Sequence, residues 1–442
     1  MNYSSPSDRI FISNLSIAKN IAFWVCFFGL TISIPAVLPL VLLTAAVLAP
    51  LRAVWAAQAL VISWLVSFMN PGLVGTVPGL FFLKLFILTM VGIQVVILLL
   101  RHRSVPASHM ALFIFGIFSC LISVNSQIPS LSFLKAFLFT LGILCSLTVI
   151  RYVPNPAFFL QWLLVMGGAI VVFSLPLVLS GTGYLRNGTG FQGILSHPQA
   201  FGMFMSLLTT WVASDLFYSS RPLLPRRLLW PLFVLAVGFL LMSEARVALI
   251  AFVVSFVFVG VFLSKGIKGV LYLTLAIFTV GVMLFLFEAP KQLLSEFLLK
   301  RRSDVSGLSE LYWNSRGEVL LHSLDNFKEN FLLGIGFGVP SDLTSIEITY
   351  DTTLGIPISA PIEKGFFLFA LLEETGIIGG MIFLVALGSL FFRSFTRVDP
   401  PIVALAITAV LLNTTENTLF SMSGFGLFIW IILALTSLPA RT

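Results

Sequence analysis

Apolar runs long enough to cross a bilayer recur along almost the whole chain. A spanning helix takes about 20 consecutive apolar residues, and a run beyond about 18 marks one. Such runs, with a few shorter ones, cover 21–49, 53–69, 79–100, 109–124, 131–150, 156–180, 198–219, 227–243, 246–263, 268–287, 365–392, 400–414 and 421–438. Inside hydrocarbon every backbone polar group needs a partner within the protein, which leaves helices or closed barrels. Runs of this length point to helices. Composition agrees: of 442 residues 58% are hydrophobic and 10% charged, where a soluble domain carries about 25% charged residues. The expected fold is all-α, a polytopic transmembrane helix bundle of about 12–14 spans with one large extracytoplasmic loop between late spans.

The first run contains Pro35 and Pro39. Proline interrupts the helical ladder, so 21–49 is expected to be two short helices forming a hairpin. Residues 1–20 are polar and carry Asp8, Arg9 and Lys19, and no small-residue cleavage site follows the first apolar run. The start therefore does not read as a cleavable signal. Cys26, Cys120 and Cys145 sit in apolar segments without a spaced pattern and read as small core residues.

Lysine and arginine set orientation through the short loops. Arg52, Arg101, Arg103, Arg151, Arg221, Arg226, Arg227, Lys265, Lys268, Arg393 and Arg397 fall in alternate loops, which are assigned to the cytoplasm. The net charge of +7 is thus a topology signal and gives no reason to expect nucleic acid. Loops near 70–78, 125–130, 181–197, 244–245, 288–364 and 415–420 are then extracytoplasmic. The N-terminus is cytoplasmic only if 21–49 is a hairpin. Three parts follow: a bundle over 1–287, a large outer loop over 288–364, and C-terminal helices over 365–442. In the loop, Gln292 to Arg302 reads as an amphipathic helix and 309–330 as a second one. A glycine-rich turn follows, Gly334-Ile335-Gly336-Phe337-Gly338. It lies on the wrong side and lacks the preceding strand of a nucleotide loop.

Ionisable residues in or beside a span are costly and are functional candidates by default. On the outer side stand Lys84, Lys135, Arg186, His197, Glu244, Arg246, Arg316, Glu363 and Lys364. Together they suggest an anionic site. Arginine offers a planar fork of donors that fits phosphate oxygens, and lysine adds a mobile point charge. Helix N-termini near Pro198 and Lys364 would add backbone donors. A lipid-linked diphosphate places its phosphates at this interface, and a leaving diphosphate needs positive charge in the transition state. Glu363 is placed to take a proton from an attacking hydroxyl. The chain offers no Asp-x-Asp and no His/Cys ligand set, so neither a metal nor another cofactor is expected.

Plainer readings stand beside these. Lys84 and Lys135 read equally as side chains snorkelling to headgroups. Glu244 and Arg246 also read as a structural pair across a tight turn. His197, before a proline, reads as a cap, and Lys300-Arg301-Arg302 as a segment lying on lipid headgroups. Glu373 and Glu374 are expected to be held by polar groups at the glycine break that follows them, while Asp215 has no evident partner.

Four segments between about residues 180 and 390 resemble the O-antigen ligase / O-antigen polymerase superfamily of bacterial envelope glycosyltransferases. They are Gly-Phe-Gln-Gly-Ile-Leu-Ser-His-Pro-Gln-Ala-Phe-Gly (190–202), Ser-Glu-Ala-Arg (243–246), Ser-Arg-Gly-Glu-Val-Leu (315–320) with Asn-Phe-Leu-Leu-Gly-Ile-Gly-Phe-Gly (330–338), and Glu-Lys-Gly-Phe-Phe-Leu-Phe-Ala-Leu-Leu-Glu-Glu-Thr-Gly-Ile-Ile-Gly (363–379). The resemblance implies a metal-independent transferase of the bacterial inner membrane. It would move a glycan from undecaprenyl diphosphate to an acceptor glycan or lipid at the extracytoplasmic face. It implies Arg246 and Arg316 as diphosphate-binding residues, while the anionic-site reading itself places Arg186, His197, Glu244, Lys364, Lys84 and Lys135 around the substrate. Glu363 stands where ligases of the group have a catalytic histidine, which leans the reading toward polymerase or exopolysaccharide assembly. The rival reading is a transporter or flippase of lipid-linked or anionic substrates; it would place charges at the midplane on broken helices, with repeated halves.

Overall fold

The computed structural model describes residues 6–75, 79–103, 105–185, 190–263, 317–342, 348–350, 355, 357–359, 364–397, 399–414, 416–422 and 424–438. The expected span 268–287, the amphipathic helix 292–302, Arg186, Arg316 and Glu363 lie outside the described residues.

The chain is an all-α membrane bundle. Its helices are α1 (Pro6–Ser33), α2 (Leu38–Leu48), α3 (Ala53–Ser67), the single turn α4 (Pro71–Val74), α5 (Leu80–His102), α6 (Ala107–Ile122), α7 (Pro129–Arg151), α8 (Pro156–Ser174), α9 (Pro198–Phe217), α10 (Arg226–Met242), α11 (Arg246–Leu263), α12 (Glu318–Glu329), α13 (Phe367–Arg397), α14 (Pro400–Leu411) and α15 (Gly426–Ala434). A two-stranded antiparallel pairing of Thr349–Tyr350 with Pro357–Ser359 is the one sheet among the described residues. Six helical stretches are long and apolar enough to cross a membrane: Leu80–His102, Ala107–Asn125, Pro129–Arg151, Pro156–Leu179, Pro198–Phe217 and Phe367–Phe392. Shorter apolar helices accompany them, among them Ala18–Ser33, Pro35–Leu51 and Gly426–Ser437.

The apolar surface faces outward. On α6, Met110, Ile114, Ile117 and Leu121 are exposed, while His109, Leu112, Phe115, Gly116 and Ser119 are buried. That stripe, at spacings of three and four, is the reverse of a soluble helix. Helix α9 is buried along nearly its whole length. Small residues let helices approach closely, as membrane packing favours: a Cβ on Gly116 would run into Thr140 of α7, and one on Gly202 into Ser243 and Ala245.

Proline splits the first apolar run as expected. Ile34 breaks the helix, and a 3-10 turn over Pro35–Val37 leads into α2. Gln58 of α3 accepts from Trp24 Nε1 (3.0 Å) and donates to Asn20 (2.8 Å), while Thr31 reaches Met69 Sδ (3.7 Å). Helix α1 therefore runs parallel to α3, with α2 returning between them, and its N-terminal end shares the end of the bundle that holds Arg52. The C-terminal ends of α5 and α7 lie side by side, His102 stacking on Tyr152 at 4.3 Å. Of the three cysteines only Cys145 is a core residue; Cys120 is half-buried and Cys26 exposed, because the lipid-facing side of α1 is apolar too. Asp215 does have a partner: its Oδ2 accepts from Leu223 N at 2.7 Å and so ties down the loop after α9.

Candidate functional site

Two neighbouring arrangements gather at the end of the bundle opposite Arg52, and they differ in how they treat charge. The first is built on a break in α13. Gly376 has φ 62° and ψ −171°, which interrupts the helix. The carbonyls of Glu373 and Glu374 lose their helical partners and accept instead from Ile335 N (2.9 Å) and Gly336 N (3.1 Å). Ile377 N and Ile378 N turn to Phe331 O (2.9 Å) and Leu332 O (3.4 Å). The glycine-rich turn is thus inserted into the break and satisfies both sides of it, as backbone at membrane depth requires. A Cβ on Gly376 would strike the Leu332 carbonyl, and one on Gly336 would strike Ser126. Between these glycines Phe337 is fully buried, 4.9 Å from the ring of Phe139 and 5.4 Å from that of Phe420.

Around the break lies a dry charge cluster. Lys364 Nζ is 3.0 Å from Glu373 Oε2 and 3.3 Å from Glu374 Oε1, with all three side chains buried. Glu373 also accepts from Asn326 Nδ2 (2.7 Å), Ser323 Oγ (2.9 Å) and Ser341 Oγ (3.1 Å). Glu374 Oε2 accepts from Gly338 N (2.7 Å), and Lys135 Nζ donates to Gly338 O (3.0 Å). Two ammonium groups and two carboxylates balance. As expected, the glutamates are held by polar groups at the glycine break. Lys135 and Lys364, read from sequence as substrate contacts, are brought together here with their charges met inside the protein. Ser323 and Asn326 were not singled out in sequence; their i,i+3 spacing on an amphipathic helix was the available signal.

The second arrangement is open. Met69 and Leu195 form an antiparallel bridge, and Asn70 Nδ2 donates to Thr182 O (2.8 Å) and Gly193 O (3.1 Å). Phe191 N donates to Met242 O (2.8 Å), joining this loop to the α10–α11 turn. Here α9 and α11 begin side by side. His197 caps α9, its Nδ1 accepting from Gln199 N at 3.2 Å. Arg246 opens α11 with its Nε and Nη2 buried. Glu244 is exposed, at φ 54°, and forms no ion pair among the described residues; the structural Glu244–Arg246 pair is absent from this structure. The loop before α9 and the turn after α3 line a groove of about 790 Å³, with Asn70, Thr182, Tyr184, Gln192 and Ser196 among its walls. Its amides and hydroxyls suit a polyhydroxylated ligand. Sequence reading missed Asn70, although Asn-Pro is a turn signal. Lys84 stands apart from both arrangements, in its own cavity between α3, α5 and α7.

No family model matches the chain, and no curated protein matches it either.

Proposed function

We propose that this chain is a membrane glycosyltransferase that moves a glycan from a polyprenyl diphosphate to an acceptor glycan or lipid. The observation that carries the reading is the shared start of α9 and α11: His197 caps α9, Arg246 opens α11, and the loop before α9 lines a groove with amide and hydroxyl side chains. A guanidinium and two helix N-termini can bind a diphosphate and stabilise the charge that develops as it leaves. The groove would hold sugar hydroxyls. Arg316 and Glu363 enter through the family resemblance, as second diphosphate ligand and proton acceptor. The end concerned carries few basic short loops, which supports an extracytoplasmic active site in the bacterial inner membrane. Lys135 and Lys364 act in this reading by holding the loop that precedes α13.

A transporter reading draws on the broken helix α13 and its buried charges. The break is filled by residues 331–338, which leaves the transferase reading ahead. The experiment is reconstitution in sealed vesicles with a polyprenyl diphosphate-linked glycan and a soluble acceptor glycan. Transfer that persists in EDTA supports the reading. Movement of the lipid-linked glycan across the bilayer without transfer would replace it with the transporter.

A further inference from the structure

Lys84 and Lys135 occupy similar places in the chain. Each lies near the start of a spanning helix, about 6 Å and about 9 Å along its axis. Lys135 has the Gly338 carbonyl and the Glu374 cluster. Lys84 has no hydrogen bond and no ion pair among the described residues, although it is half-buried. Its surroundings are a cavity lined by Trp64, Phe81, Leu85, Leu88, Met422 and Leu427, with Ser63 and Ser67 at one side. No carboxylate lines this cavity. Ser67 Oγ already donates to Ser63 O at 2.6 Å. A lysine that snorkels extends its ammonium to water or headgroups; this one lines a cavity whose other walls are largely aromatic and aliphatic.

An ammonium at this depth is costly without an anion, and none of the described residues supplies one. We infer that the cavity is a binding site for a lipid with a single phosphate head. Lys84 holds the phosphate, and the apolar walls of α3, α5 and α7 take the start of the tail. Three features fit that ligand. The cavity measures about 60 Å³, room for about four to six waters by the space one water needs, which suits one phosphate. Its lining is largely apolar and includes aromatics. It lies on α5, where Phe82 and Phe86 are exposed on the lipid-facing side, so a tail has a path into the bilayer. The site is separate from the Arg246 end and does not rest on the transferase reading.

The test uses the purified full-length chain in detergent and farnesyl phosphate as probe. Bound probe is counted by native mass spectrometry, and occupancy is followed by protection of a Ser67→Cys variant from maleimide. Farnesol and inorganic phosphate are run as separate arms. The expected result is one saturable farnesyl phosphate per chain. Lys84→Gln should weaken it at least about tenfold and Lys84→Arg by no more than about threefold. Gly142→Leu should also remove binding while leaving Lys84 in place, because a Cβ on Gly142 already meets Met422 Cε at 2.9 Å in the cavity wall. Three results would overturn the inference. Lys84→Gln could bind as well as the parent, farnesol could bind as tightly as farnesyl phosphate, or inorganic phosphate could protect the maleimide site equally. The last would make it a free-anion site. Should Gly142→Leu not fold, Lys84→Gln alone decides. Binding here without glycan transfer keeps the site and removes the proposed function; transfer without binding does the converse.

Discussion

The break in α13 and the open end around Arg246 both bring charge into an apolar bundle, and they do so by opposite rules. At the break each carboxylate oxygen has a named donor or cation, and the two lysines are matched by two glutamates. Among the described residues these charges are met by one another. At the Arg246 end the nearest acid in sequence, Glu244, is exposed, and the loop before α9 lines a groove. Buried charge at a membrane site is a functional signal by default, but the comparison shows that closure decides which function. A closed network fixes the position of a loop; the proposed function assigns the Arg246 end to substrate.

The largest expected effect comes from opening the closed network. Lys364→Ala leaves two carboxylates buried without their cation, and breaking a buried pair costs about 3–5 kcal/mol. The protein should unfold at lower temperature in detergent and accumulate poorly. Combining Lys364→Met with Glu373→Gln and Glu374→Gln should recover much of that loss, since neutral replacement of a buried ion pair is often tolerated. If Lys364→Ala kept normal stability but lost transfer, the lysine would be a substrate contact and the contrast between the regions would fail.

Arg246→Ala tests the other side. Removing one charge-stabilising donor from a transfer site costs about 2.7–4 kcal/mol, on the order of a hundredfold to a thousandfold in turnover. Abundance and unfolding temperature should stay close to the parent. Arg246→Lys should restore little, because a point charge does not reproduce a two-pronged fork. Turnover per folded molecule is the measurement; a fall in folded protein with turnover intact would place Arg246 in the structural class.

Much of the architecture was legible because hydropathy is a local property. Most of the apolar runs within the described residues became helices with ends within a few residues, though α1 begins as early as Pro6, and Pro35 and Pro39 marked the N-terminal hairpin. The glycine after Glu373 and Glu374 marked a break with the glutamates held beside it. Partnership was not legible. Lys84 and Lys135 look alike in sequence, yet what separates them is whether a turn some two hundred residues later folds back onto one of them. Asp215 likewise owes its partner to the loop after α9. The glycine-rich turn read as an outer-loop feature, whereas Phe337 makes it part of the aromatic core. Such contacts depend on tertiary closure, for which residue spacing carries no signal.

Gly376→Ala should have a smaller effect than Lys364→Ala. Alanine at φ 62° is strained by about 1–3 kcal/mol, and its Cβ would strike the Leu332–Leu333 backbone, so the inserted turn must shift away. The inserted turn should loosen first. Hydrogen exchange of the amides of Ile335 and Gly336 reports this directly, since both bond to carbonyls at the break. Faster exchange there with little change at the α9 and α11 N-termini would show that the two regions open independently. Equal loosening of both would merge them.

The smallest effect, and the sharpest for the comparison, is expected at Glu244. A structural Glu244–Arg246 pair would make this glutamate stabilising, and Glu244→Gln would then lower the unfolding temperature. The geometry argues otherwise. The side chain is exposed, it forms no ion pair among the described residues, and its backbone sits at φ 54°, where a side chain is disfavoured. A left-handed conformation costs a residue with a Cβ roughly 1–2 kcal/mol that glycine avoids, partly offset by the greater unfolded-state freedom of glycine. Glu244→Gln should therefore change stability by no more than about 0.5 kcal/mol. Glu244→Gly should be neutral or slightly stabilising, with Arg246 still active in both. A clear loss of stability in Glu244→Gln, reversed by removing Arg246 as well, would close the open end and make the two regions variants of one design.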